Sequence, residues 1–317
     1  MSEFSLGQDW VSRITNSNDS DLPVIGADIS PFPDAGQLKT VLRNLSLSGA
    51  AREMARRKWL RPGEGGDKVA ERGRALFDFL YAPAARRPAF AMFKGRRAGT
   101  QRDLIDEVST MAWIAHVTDA AIAESRHMRF APTALSGNFL RQLVRLSVRK
   151  DGPSLALSAV RDLGIAVVVE SGLPGMSVDG ASFHVAAAGP VLALTLRHDR
   201  LDNFWFTLLH ELGHIALHLA SPGDDVYIDS LDEAVGDEQE VEAEADAFAK
   251  DALVPRDTWL RSDARRLGSE GSVVSLAKQL GIHPAIVAGR IRYERREFRM
   301  FTDLAGVGGV RDQVLGG

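Results

Sequence analysis

The chain has 317 residues, a formal net charge of −4 and 45% hydrophobic residues, a composition suited to a soluble globular protein of two domains or one elaborated domain. It contains no cysteine, which excludes disulfides and thiolate metal sites and leaves His, Asp and Glu as the available ligands. No apolar run approaches the roughly 18 residues of a membrane span, and the first residues, MSEFSLGQDW, lack the basic and apolar regions of a secretory signal, so a cytoplasmic protein with no membrane partner is expected.

Residues 1–35, rich in Ser, Asn, Asp and Pro, predict a loosely ordered start. Helical periodicity follows in Gln37–Leu60, Asp67–Ala82 and Gln101–Glu124, broken at residues 61–66 and at Pro88, which makes 1–130 a mainly helical region. Within it, residues 51–102 carry 14 Lys and Arg against 5 Asp and Glu. Few aromatics interleave with these charges, so a solvated helical surface is the reading preferred over a nucleic-acid surface.

Two further helices are expected near Asn138–Ser147 and Pro153–Leu163, and the character changes after Gly164. Ile165–Glu170, Ser182–Ala187 and Val191–Leu196 read as antiparallel strands separated by turns at Ser171–Gly175 and Ala188–Pro190. Asp202 and Asn203 supply the N-cap of a helix running to about Ala220. The expected fold is α+β: the helical N-terminal region, then a domain over 131–317 whose small, mostly antiparallel sheet packs on this helix.

That helix carries His210-Glu211-Leu212-Gly213-His214, two imidazoles one turn apart with a carboxylate between them. This spacing holds a catalytic zinc and sets a general base beside its water. Phe204, Leu208, Leu212, Ile215 and Leu219 cover the other sides, so the helix is buried, and buried imidazoles need a partner or a metal. A catalytic zinc takes a third protein ligand, and the metzincin continuation is absent because positions 217 and 220 are Leu and Ala.

Residues 224–251, with 12 acidic residues against the single Lys250, supply candidates on a helix over Glu238–Ala252. Its apolar stripe is Val241, Ala245, Phe248, Ala249, Ala252 and Leu253. Glu242 is the best-placed inward carboxylate, with Glu238 at the helix start as the other and Glu244 and Asp246 further round. Asp246, one turn beyond Glu242, could accept the free ring N–H of a ligating histidine. His218 shares the histidine face and is taken with Asp246 as support for the ligands. Tyr227 and His198 are the candidates for an oxyanion donor.

Three segments together carry a family resemblance: LALTLRHDRLDN at 192–203, FWFTLLHELGHIALHL at 204–219 and VEAEADAFAKDALVP at 241–255. They resemble the ImmA/IrrE family of zinc metallopeptidases, over roughly Pro132–Gly308. Residues 140–170, LRQLVRLSVRKDGPSLALSAVRDLGIAVVVE, also look like the version of this domain fused behind a helix-turn-helix in HigA-type antitoxin-like regulators.

The resemblance implies a gluzincin-like site with Zn2+ held by His210, His214 and Glu242, and Glu211 as general base. It further implies an endopeptidase that cuts a helix-turn-helix transcriptional repressor and relieves repression under stress. No helix-turn-helix precedes residue 130, so a separately encoded repressor is the expected partner. The alternative is a non-proteolytic antitoxin-like or DNA-binding regulator that retains the metal fold. A late helix-turn-helix-like element at 273–292, with Gly281 in the turn, Pro284 opening the second helix and Arg290, Arg292, Arg295 and Arg296 beyond, reads as a packing element in preference to a DNA reader.

Overall fold

The computed structural model describes residues 49–59, 101–124, 129–219, 226–230, 237–304, 306 and 308–315. The helix expected at Asp67–Ala82, the loosely ordered start expected at 1–35 and most of the basic stretch lie outside them. The chain divides into two compact units, one of residues 1–119 with 172–177, the other of 120–171 with 178–317.

In the first unit, α1 (Gly49–Arg56) buries Ala50, Ala51 and Met54, and α2 (Gln101–Glu124) buries Met111, Trp113, Ile114 and Val117. The connection 172–177 is tied into this unit by polar contacts. Arg57 donates to the Gly172 carbonyl at 3.2 Å, and Ser177 donates from its hydroxyl to Asp106 at 2.6 Å. No helix among the described residues is long and apolar enough to cross a membrane.

The second unit opens with α3 (Gly137–Arg145), which Ser136 caps by accepting from Phe139 N, and α4 (Gly152–Arg161), which carries a proline in its first turn. They bury Leu140, Leu143, Leu157 and Val160 in one hydrophobic core. The strands β1 (Ala166–Val169), β2 (Val178–Val185), β3 (Gly189–Leu194) and β4 (Val226–Ser230) form a four-stranded sheet in the order β1-β3-β2-β4.

Three features of the sheet differ from the expectation. β1 pairs with β3 in parallel, with Ala166 opposite Val191, because the connection 170–177 carries the chain across the width of β3 before β2 begins. β2 starts four residues earlier than its apolar pattern indicates, and Gly189 and Pro190, expected in a turn, open β3. β4, inside the acidic run, pairs antiparallel with β2. The sheet is therefore mixed, though two of its three pairings are antiparallel.

Next come α5 (Leu201–Leu217), which packs on β2, β3 and β4, and α6 (Asp237–Leu253), which packs along α5. Asp202 is not the cap of α5. Arg200 stands there, and Asp202 sits buried in the first turn, accepting from Arg200 and, at 3.2 Å, from Arg292. Short helices α7 (Arg256–Arg261) and α8 (Asp263–Leu267) lead to α9 (Glu270–Leu280) and α10 (Pro284–Glu294), and α11 (Val310–Leu315) follows. Between α9 and α10, Gly281 adopts φ 69°, the left-handed C-cap that glycine supplies without strain.

The late helix pair packs inward. α10 buries Ala285, Ile286, Val287, Ala288 and Ile291 and lies against α5. Arg290 donates to the carbonyls of Lys250 and Val254 and stacks on Trp259, while Arg295 donates to the Arg265 carbonyl. These guanidinium groups hold neighbouring backbone in place.

Candidate metal centre

α5 is buried nearly all round. His210 is 3% exposed and Glu211 and His214 are fully buried, and the sheet, α6 and α10 cover different sides of the helix. Its close neighbour is α6, and the approach depends on Gly213. A Cβ at that position would lie 3.1 Å from Ala245 Cα and 3.2 Å from the Ala245 carbonyl oxygen. Two small residues face each other, the helix backbones come together, and side chains of modest length reach across the gap.

Across it, three donor atoms converge. His210 Nε2 is 3.0 Å from His214 Nε2 and 3.1 Å from Glu242 Oε2, and His214 Nε2 is 3.6 Å from Glu242 Oε1. Among the described residues, the ligand atoms of His210, His214 and Glu242 form a group within 4.8 Å of one another. Tetrahedral zinc with bonds of about 2.0–2.1 Å sets its ligand atoms about 3.3 Å apart, so this spacing suits such an ion.

Protonation points the same way. Burial pushes the Glu242 carboxyl up, but hydrogen bonds from His210 and His214 outweigh it and hold the group at about 2, so it is ionised at neutral pH. Burial pushes the His214 imidazole below its ordinary value against the pull of Glu242, which favours the neutral ligand form. His210 Nδ1 lies 3.3 Å from Asp246 Oδ1. A proton on that nitrogen leaves Nε2 with a lone pair facing an ionised carboxylate, a repulsive contact unless His210 carries a second proton or a cation lies between them. A borderline divalent ion with nitrogen and oxygen ligands fits the donor set.

Asp246 is the hub of the supporting contacts. It accepts from Lys250 Nζ at 2.5 Å, and Lys250 sits over the Tyr293 ring at 5.0 Å. Burial raises the Asp246 carboxyl, yet His210 and Lys250 together bring it below its usual value. His218 caps the C-terminus of α5, its ring 5.5 Å from that of His214 and its Nε2 3.8 Å from Glu244.

Of the two oxyanion candidates, the structure brings one to the centre. The Tyr227 ring stacks on His214 with centroids 4.8 Å apart and planes 8° from parallel. His198 lies in the β3–α5 connection. Burial lowers its pKa, and the charges that act on it belong to Asp179, Arg197, Arg200 and Asp202, none of which is a residue of the metal group.

Sequence reasoning missed the floor of the site. Gly180 and Ser182, two apart on β2 and so on one face, lie beneath Glu211. Ser182 is fully buried and its hydroxyl lies 2.5 Å from Glu211 Oε2 and 3.0 Å from the Glu211 backbone oxygen. A Cβ on Gly180 would collide with Glu211 Oε1 and come within 2.9 Å of Glu211 Cγ. The readable signal was a glycine and a serine alternating in a strand that is otherwise apolar on its buried positions.

A comparison with curated proteins finds no match. Residues 160–292 match the Peptidase_M78 family model, described as the IrrE N-terminal-like domain. That span runs from the end of α4 to α10 and contains the whole sheet, α5 and α6. With His210, Glu211, His214 and Glu242 all inside it, the chain carries a Peptidase_M78 domain over residues 160–292, consistent with an ImmA/IrrE family protein.

Proposed function

We propose that this chain is a zinc-dependent endopeptidase of gluzincin type that cuts a separately encoded helix-turn-helix repressor and relieves repression under stress. The observation that carries the chemistry is the convergence of His210 Nε2, His214 Nε2 and the Glu242 carboxylate beside Glu211. The repressor substrate rests on the family resemblance of the 192–255 segments. In support of proteolysis over a DNA-binding role, Arg290, Arg292 and Arg295 on and after α10 are spent on carbonyls and on Asp202.

His210, His214 and Glu242 would hold the ion, with Asp246 fixing the His210 ring. When bound, such an ion polarises the scissile carbonyl and acidifies water. Glu211 takes the proton of the attacking water on a carboxylate oxygen and returns it to the leaving amine nitrogen. Tyr227, whose ring stacks on His214, is the proposed donor to the developing oxyanion.

The sheet changes where a substrate can lie. β3 is flanked by β1 and β2 and leaves no edge for an extended peptide along Val191–Leu196. β4 is an outer strand, and it carries Tyr227 against His214, so the reading places an extended peptide along β4.

The decisive experiment is co-expression with helix-turn-helix repressors encoded near the chain, followed by detection of a cleaved fragment. Glu211→Gln should abolish cleavage with zinc content unchanged. A fragment that persists in this variant would refute the mechanism. Tyr227→Phe should lower kcat by about a hundredfold, as loss of an oxyanion donor does.

A further inference from the structure

We infer that Ser182, with Gly180, is the positioning element for the Glu211 carboxylate. The inference rests on the proposed role of Glu211 as proton carrier and adds what holds that carrier in place. A glutamate side chain has three rotatable torsions and gives up rotamer freedom when it is fixed. A base that must meet a water at hydrogen-bond distance gains by having that freedom removed beforehand.

β2 removes it from below. The Ser182 hydroxyl, fully buried, reaches Glu211 Oε2 at 2.5 Å, and its distance of 3.0 Å to the Glu211 backbone oxygen registers the same residue twice. The single hydroxyl proton has both the main-chain and the side-chain oxygen of Glu211 within reach, and the shorter distance is to the carboxylate. Gly180 supplies the second constraint. Its missing Cβ leaves the space that Glu211 Oε1 and Cγ occupy, and Thr207 Cγ2, 2.8 Å from where that Cβ would be, closes the pocket from the preceding turn of α5. Neither residue is among the three metal ligands. A serine buried for packing alone would be replaceable by alanine, which is smaller by one oxygen; a serine that aims a carboxylate is not.

Two measurements on the full-length chain test this. The first needs no activity: a double-mutant cycle of thermal midpoints in metal-free protein with Ser182→Ala, Glu211→Ala and the double variant. The double variant should keep roughly 2–4 °C more than the sum of the single losses. Additive losses would overturn the contact.

The second reads hydrolysis of fluorescein-labelled casein by zinc-loaded protein. Ser182→Ala should lose about ten- to a hundredfold in kcat, with KM and zinc stoichiometry unchanged, and Ser182→Thr, which keeps the hydroxyl, should recover most of it. Gly180→Ala, which displaces the carboxylate while leaving Ser182 in place, should show the same kcat-selective loss. Wild-type kcat in Ser182→Ala would overturn the inference. Glu211→Gln in the same assay separates the two ideas: if it cuts as well as wild type, the proton-carrier reading fails while a non-additive cycle still establishes the Ser182 contact.

Discussion

Asp246 Oδ1 lies 3.3 Å from His210 Nδ1, and Asp246 accepts from Lys250 Nζ, so the carboxylate that stands beside the ring of a proposed ligand is itself held in place. Asp246→Asn offers an amide that can present its N–H to His210, and the expected result is a zinc affinity lower by about 10–100-fold, read by competition with a chromogenic chelator. His283 gives a pH prediction remote from the metal. It caps α10 by accepting from Ala285 N on Nδ1, and burial pushes its imidazole below the ordinary value. The folded state therefore favours the neutral ring. Its contribution is fully present above about pH 6.5 and is lost as pH falls toward the depressed folded value. His283→Asn keeps a capping oxygen and should flatten the stability profile on the acid side of that point, measured by urea unfolding at several pH values. At this scale the sequence was legible where partners are near each other in the chain. His210, Glu211 and His214 declare themselves by spacing, and Glu242 and Asp246 by their place on a helix face. Ser182 stayed hidden because its relation to Glu211 spans 29 residues and depends on which face of β2 meets α5.

The start of α5 is anchored by a buried ion pair. Arg292, itself on α10, reaches Asp202 in the first turn of α5 and also donates to the Phe298 carbonyl. Both side chains are almost wholly inaccessible, at 7% and 5% exposure. Replacing Arg292 by Met leaves a buried carboxylate with Arg200 as its remaining guanidinium partner, and should destabilise the chain by about 3 kcal/mol, measured by denaturant unfolding. Exchanging both Arg292 and Asp202 for apolar residues should recover much of that loss, because the cost lies in a buried carboxylate left with one of its two guanidinium partners. The elements themselves were largely foreseen: α3, α4, α5, α6 and the α9–α10 pair follow from periodicity and from terminal residues such as Gly281 and Pro284. Strand pairing was not. β4 is five residues inside an acidic run, too short to show alternation, and the parallel pairing of β1 depends on a crossing at 170–177 that carries no residue signature.

At the scale of the whole molecule, the segment 172–177 interrupts the second unit yet packs with the first. It buries Leu173 and Met176 there and hydrogen-bonds Ser177 to Asp106. A chain truncated to residues 120–317 should still bind zinc under the proposed reading, since His210, His214 and Glu242 all lie in the second unit, but should become sensitive to protease between 171 and 178. Equal resistance of the truncated and full-length chains would show that the segment holds itself. Zinc at a thousandfold excess over its Kd should stabilise either form by about 4 kcal/mol, a shift in thermal midpoint that chelation reverses and His214→Ala abolishes. The facing pair Gly213 and Ala245 has a consequence for which ions this protein accepts. Because His210 and His214 belong to one helix and Glu242 to the other, the gap between backbones would also set the width of the proposed coordination cage, and Gly213, lacking a methyl group, keeps that gap narrow. Gly213→Ala should spread the helices by a few tenths of an ångström and shift relative affinity from zinc toward a larger ion such as cadmium, so that ion selectivity here is a property of helix packing as much as of ligand chemistry.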